Sequence, residues 1–308
     1  MNSHNLQSLL IEYDQKRNKA ILDAENKKIQ MYKKIPALEK VDNDITSFSI
    51  STIKSMLTSK NPDAPQKLKK ELSVLKQKKI EILQNAGLSI NDISPKFECS
   101  NCNDTGYITI NNQTVLCPCI KQKLYNIQYN NSNIYDLENQ NFSKFNLNFY
   151  SNEVNVEKYN SKISPRENIK KILNICKKFI ENFDDAEENN LLFCGNTGLG
   201  KTFLSSCIAN ELIKKGKTVL YQTAPIMLDS IIDYKFGKTS NDVINTINTV
   251  DLLIIDDLGT ESKNNIKLTE LFNILNSRLL NQNNKITKTI ISTNLSLQDL
   301  YNTYEERI

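Results

Sequence analysis

The sequence predicts an α/β protein, a parallel sheet flanked by helices, preceded by a helical front segment that carries a cysteine cluster. Three observations predict it. From about residue 165, short apolar runs alternate with helical patterns, the rhythm of strand–helix–strand crossovers. The run LLFC (191–194) opens onto GNTGLGKT (195–202), a glycine-rich turn leading into a helix. Four of the seven cysteines fall between Cys99 and Cys119.

The chain has 308 residues, enough for two domains and a sizeable core. A hydrophobic fraction of 39% with 24% charged residues marks a polar, soluble globular chain. No opening segment has the basic start, apolar centre and small-residue cleavage site of a signal peptide. No run reaches the roughly 18 apolar residues of a membrane span. The expectation is a cytoplasmic protein with no membrane contact, whose thiols stay reduced. Residues 1–98 carry 17 Lys and Arg against 12 Asp and Glu, and residues 99–308 carry 22 against 23. The basic front fits nucleic acid or an acidic partner, and equally fits solvated helix faces.

In chain order, residues 5–38 read as a helix, with Leu6, Leu9, Leu10, Tyr13 and Ile21 on one stripe. Residues 48–58 read as a short second helix. NPDAP (61–65) is a break. Residues 66–86 read as a third helix with Leu68, Leu72, Leu75 and Ile82 on one side, ending at Gly87. The segment 107–116 reads as a β-hairpin over NNQ, and 119–129 as a helix. Residues 130–160 are Asn-rich and aperiodic. Their aromatics, Phe142, Phe145, Phe149 and Tyr150, are expected to dock on the domain that follows. Beyond them, 164–183, 201–215, 225–236, 240–249 and 266–281 read as helices. Strands are expected at 191–194, 218–223, 252–256 and 288–294. Cys176, Cys194 and Cys207 lie on apolar faces and read as small core residues. His4 reads as a terminal residue rather than a ligand.

GNTGLGKT fits the G-x-x-x-x-G-K-[ST] phosphate loop in its required strand-to-helix setting. Gly195, Asn196, Thr197, Gly198, Leu199 and Gly200 would wrap backbone N–H groups around phosphates at a positive helix N-terminus. Lys201 would reach the β- and γ-phosphates of ATP, and Thr202 would hold Mg²⁺ through its hydroxyl. DLLIIDDLG (251–259) ends an apolar strand in two carboxylates, where open α/β sheets bind ligands. Asp256 is the expected magnesium residue, and Asp257 the one that orients or deprotonates water. Asn294 closes the next strand and is placed to reach the γ-phosphate or that water. Tyr234, Lys235 and Lys238 lie in a long crossover, where ordinary helix packing competes with contact to a phosphate backbone.

Cys99-x-x-Cys102 and Cys117-x-Cys119 are separated by fourteen residues. Two such pairs can close a four-sulfur zinc site, a structural one, since four protein ligands leave no position for water. A redox pair and a four-cysteine iron–sulfur cluster are the competing readings.

The phosphate loop, LLIIDDLGTE and the STN strand end resemble an AAA+ ATPase core. NFSKFNLNFYS followed by SPRENI, together with LFNILNSRL, is similar to the DnaC/DnaI-type bacterial replicative helicase loaders, and IstB-type transposition helper ATPases share much of that core. The fold class implied is an AAA+ P-loop NTPase core with a parallel sheet, preceded by a helical and zinc-binding N-terminal domain. The division implied is 1–130 helical with the zinc site, 131–163 linker and 164–308 ATPase. The resemblance implies self-association through the ATPase domain, contact with a hexameric replicative helicase, and single-stranded DNA binding. It also implies a catalytic role for Lys201, Asp257, Asn294 and Arg307, the last reaching a neighbour's ATP. An ion pair of Arg307 with Glu305 or Glu306 is the plainer reading of that residue. Many relatives carry Glu where Asp257 stands, so hydrolysis is expected to be slow. A complete core of this kind continues past Asn294 with a helix and a further strand, so a domain cut short at Ile308 is expected. The function implied is ATP-dependent helicase loading. The alternatives are an IstB-like transposition helper ATPase and a non-hydrolysing adaptor switched by ATP.

Overall fold

The computed structural model describes residues 3–58, 64–129, 140–159, 161–239, 243–262, 264–280 and 286–304. The NPDAP break, the side chain of Leu68, and Glu305, Glu306 and Arg307 lie wholly or partly outside these described residues. The chain forms two compact units, Ser8–Ile108 and a larger one made of Met1–Gln7 and Thr109–Ile308.

The smaller unit is built on three helices, α1 (Ser3–Lys34), α2 (Pro36–Thr58) and α3 (Ala64–Asn85). The helix expected over 5–38 is in fact broken at Ile35. Proline has no N–H to donate and pushes the residue before it out of the helical region, so Pro36 starts a new helix instead of continuing the old one. The short second helix expected at 48–58 is the end of this longer α2. Leu38, Leu83 and Ile93 are buried together, with Met31, Tyr32, Ile35 and Ile82 packed around them. One buried acid sits beside this core. Asp42 accepts a 2.6 Å hydrogen bond from Tyr32 and pairs with Lys79 at 2.7 Å and Lys28 at 3.1 Å. Burial would push its carboxyl up, but the hydrogen bonds from Lys79, Tyr32 and Lys28 outweigh that and hold it below the usual carboxylate range.

After the three helices come a small hairpin, β1 (Tyr107–Ile110) and β2 (Gln113–Leu116), and then α4 (Pro118–Tyr129). The hairpin turn is Asn111-Asn112, both at positive φ, with Gln113 already in the second strand. Two left-handed residues match the twist of the flanking strands, and asparagine tolerates that backbone better than most residues. A short α5 (Val156–Tyr159) and α6 (Pro165–Glu181) follow. Ser164 caps α6 by accepting from Glu167 N. Next come β3 (Leu191–Cys194), α7 (Lys201–Lys214), β4 (Val219–Thr223), α8 (Ala224–Lys235) and α9 (Val243–Thr249). The last elements are β5 (Leu252–Leu258), α10 (Asn265–Leu280), β6 (Lys288–Thr293) and α11 (Leu297–Tyr304).

The four later strands form one parallel sheet in the order β3-β6-β5-β4. In β5, Leu252 and Ile254 join one buried cluster with α6 and α7, while Leu253 and Ile255 join another with α8, α9 and α10. Alternate residues face opposite sides. An unbroken apolar run is therefore what a strand covered on both faces requires. Arg278 of α10 is buried with its donors spent on backbone and side chain: Val250 O at 3.1 Å, Lys288 O at 2.7 Å, Thr289 Oγ1 at 3.0 Å, and Ile247 O. It ties the end of α9 to the starts of β5 and β6.

Phe142, Phe145 and Tyr150 pack against the α6–α7 cluster, as expected of docking aromatics. Phe149 does not; it is 86% exposed. Cys176 and Cys207 are buried, but Cys194 is exposed. Cys194 ends an edge strand whose side chains alternate between half-buried and exposed, so apolar neighbours in sequence do not enclose it.

Candidate nucleotide and metal sites

The phosphate loop joins β3 to α7. Asn196, Thr197, Gly198 and Leu199 are exposed, and Gly195 and Gly200 are half-buried. Gly200 caps α7 with φ 92°, a left-handed backbone. A Cβ there would lie 2.8 Å from the Tyr150 hydroxyl, so conformation and space both require glycine. That hydroxyl donates to Leu199 O at 2.9 Å. The Tyr150 ring stacks on Phe145, which tilts against Phe203 of α7. Arg166 Nε donates to Tyr150 O at 3.0 Å. The aromatic segment is thus part of the loop's wall, a contact 49 residues apart in sequence that periodicity does not reveal.

Two further strand ends, those of β5 and β6, converge on the loop. Lys201 Nζ donates to Gly195 O at 2.7 Å, Asn196 O at 3.0 Å and Asn294 Oδ1 at 2.6 Å. Thr202 Oγ1 lies 3.5 Å from Asp256 Oδ1. Asp256 is buried. Its Oδ2 accepts from Tyr221 Oη at 2.6 Å, and its Oδ1 accepts from Ser292 Oγ and, at 3.2 Å, from Asp257 N. Asp257 N also lies 3.2 Å from Ser292 Oγ. Asp257 has φ 54°, beside a register irregularity between Ile255 and Leu258 in the pairing of β5 with β6. Its carboxyl is pushed above the usual range, first by burial and then by the charge of Asp256, against the pull of Lys201. Lys201, Thr202, Asp256, Asp257 and Asn294 are therefore gathered at one loop. Tyr150, Tyr221 and Ser292 join them and were not singled out as site residues from the sequence. Arg307 lies outside the described residues.

These residues fit a nucleoside triphosphate with magnesium. Glycine backbone approaches where a Cβ would obstruct, a 14-residue helix offers its positive end, and a hydroxyl and a buried carboxylate face each other for a hard cation.

The four clustered cysteines also come together. The sulfurs of Cys99, Cys102, Cys117 and Cys119 lie within 4.8 Å of one another. Tetrahedral zinc with Zn–S near 2.3 Å spaces its sulfurs by about 3.8 Å, so the set fits that ion. Asp104 holds the first pair: Oδ1 accepts from Cys99 N at 2.8 Å and Oδ2 from Glu98 N at 2.9 Å. It is buried, and its φ is 56°. Thr105 Oγ1 donates to Cys102 O at 2.8 Å.

Tyr234, Lys235 and Lys238 have partners within the chain. Tyr234 packs on the α8–α10 cluster, Lys235 pairs with Glu270 at 2.5 Å and Lys238 with Asp233 at 3.0 Å.

A glycine-rich loop between strand and helix, on a parallel sheet with a carboxylate at the next strand ends, defines a P-loop nucleotide-binding protein of the α/β class. Residues 141–307 match the family described as IstB-like ATP binding protein, and the chain belongs to that family. The replicative helicase loader DnaC of Escherichia coli (strain K12) is 26% identical over 138 residues, which is 44% of this chain and 54% of the relative. The replicative helicase loader DnaC of Buchnera aphidicola subsp. Baizongia pistaciae (strain Bp) is 34% identical over 98 residues, 31% of this chain and 39% of the relative. The chain thus spans about half the length, or less, of these curated relatives. A crystal structure of the DnaC helicase loader superposes with a TM-score of 0.41 at 23% identity, over 56% of this chain and 90% of that one. Among the described residues, no helix is long and apolar enough to cross a membrane.

Proposed function

We propose that the chain is an ATP-dependent loader of the replicative DNA helicase, acting at the initiation of DNA replication in the cytoplasm. The observation that carries the ATP half is the convergence of Lys201, Thr202, Asp256, Asp257 and Asn294 on one glycine loop. The likeness to DnaC loaders supports the helicase half. Magnesium, held by Thr202 and Asp256, would neutralise charge on the phosphates. The loop amides from Gly195 to Thr202 and the Lys201 ammonium bind and orient the triphosphate. Asp257 takes the proton of the attacking water or orients that water, and Asn294 contacts the γ-phosphate. Arg307 is assigned to a neighbouring subunit's site, which requires self-association through the ATPase domain. Residues 1–130, with zinc on Cys99, Cys102, Cys117 and Cys119, grip the hexameric helicase. Residues 131–163 link them to the ATPase domain, 164–308, which also binds single-stranded DNA.

Calorimetry on the intact chain tests the first half. ATP with Mg²⁺ is expected to bind the wild type, and Lys201→Ala to weaken binding at least tenfold; equal binding by both overturns the site. Co-purification with the hexameric helicase tests the second half. The family description favours a transposition helper as the second reading, and failure to retain the helicase would favour it. Absence of ATP turnover with single-stranded DNA present would instead mark a non-hydrolysing adaptor.

A further inference from the structure

We infer that Tyr221 and Ser292 are positioning residues that fix the carboxylate of Asp256 for magnesium, a role that rests on the nucleotide site proposed above. Tyr221 stands opposite Ile254 in the β4–β5 register, and Thr223 stands opposite Asp256. Asp256 is thus the diagonal neighbour of Tyr221, two residues along the same face, a span that an aromatic side chain can bridge. That face is the one α7 covers: Tyr221 and Ile254 lie in the cluster with Leu204 and Ile208 of α7. The phenol therefore runs beneath the helix that begins with Lys201, and its hydroxyl reaches Oδ2 at 2.6 Å. Ser292, two residues before Asn294 on β6, approaches Oδ1 from the other neighbouring strand.

A carboxylate rotates about its last bond unless both oxygens are held. Here each oxygen has one buried hydroxyl, one from each flanking strand, and the Asp257 N–H adds to Oδ1. The result places Oδ1 toward Thr202 and commits Oδ2 to Tyr221. Groups that orient a metal-binding residue commonly change metal affinity by about 10- to 100-fold when removed. Both hydroxyls are spent on the acid, so nucleotide held by the loop amides alone is expected to be insensitive to them.

The test compares ADP binding by calorimetry, in EDTA and across a magnesium titration, for the full chain. Tyr221→Phe keeps the ring and deletes one hydroxyl, and Ser292→Ala deletes the other. Each is expected to leave metal-free ADP affinity within about twofold while raising the magnesium needed for half-maximal tightening by about tenfold. Tyr304→Phe is the control, because it deletes a part-buried hydroxyl bonded to Glu261 and not to Asp256; its magnesium requirement is expected to match the wild type. Wild-type magnesium dependence in both Tyr221→Phe and Ser292→Ala overturns the inference. So does an equal loss of affinity with and without magnesium, which would mark a general packing role. A wild type that binds no ADP in either condition overturns the nucleotide site itself, an outcome distinct from the other two.

Discussion

Asp104 illustrates how a single side chain can shape a cysteine cluster without belonging to it. Its two oxygens take the N–H groups of Glu98 and Cys99, one each. Asp104→Asn keeps the size and tolerance for a left-handed backbone but turns one acceptor into a donor that faces an N–H. In zinc-loaded protein, the affinity for zinc is expected to fall by about tenfold, read as faster transfer to a chromogenic chelator. Unchanged transfer would deny Asp104 that part. The cysteines themselves were legible because their chemistry is written in spacing: two short pairs and a hairpin between them. The same holds for Lys201 and Thr202. Asp104, Tyr150, Tyr221 and Ser292 were not legible as site residues. Tyr221 lies 35 residues and Ser292 36 residues from the acid they hold, and only strand register brings them together.

At the level of elements, periodicity did most of the predicting where both faces of the sheet are covered. Leu252–Ile255 has no polar interruption because each side of β5 meets a helical layer. Periodicity failed in the front segment at Pro36, where a backbone rule outweighed a continuing pattern. Asp42 in α2 was equally hidden, since an acid in a helix reads as solvent-facing until Lys28 and Tyr32 of α1 and Lys79 of α3 are seen around it. Its folded pKa lies below the unfolded value near 3.9. Its contribution to stability is therefore complete above that value and is lost as pH falls through the folded one. Amide hydrogen exchange in α2 and α3 of the full chain is expected to accelerate as pH drops below about 4, beyond the intrinsic pH effect. Asp42→Asn, which keeps the tyrosine's acceptor but leaves Lys79 and Lys28 without their counter-charge, is expected to cost about 2 kcal/mol in denaturant melts. Identical exchange profiles for the two proteins at pH 7 would contradict this.

On the scale of the whole molecule, the recognisable family match begins at residue 141, yet the compact unit containing the sheet reaches back to Thr109. The helix α4 is the reason. Gln122 lies buried against β4, its Nε2 donating to Val219 O at 2.8 Å and its Oε1 accepting from Val219 N at 2.6 Å. One side-chain amide thereby mimics a neighbouring strand at the outer edge of a four-stranded sheet. Exposed edges of this kind pair with other chains unless something covers them. In nucleotide-free buffer, a fragment starting at residue 141 is expected to form larger species in light scattering than one starting at residue 117, the difference being the uncovered β4 edge. Gln122→Leu in the full chain separates the amide from the helix: it leaves two buried backbone groups without partners and is expected to cost about 2 kcal/mol.

That borrowed amide also constrains how the protein can be dissected. The stretch carrying Cys117 and Cys119 leads into a plug for the four-stranded sheet, so a swap of front ends between relatives works only if the graft brings its own stopper for β4. The natural suture for chimeras therefore lies upstream of the second cysteine pair rather than at residue 141, where the family match begins.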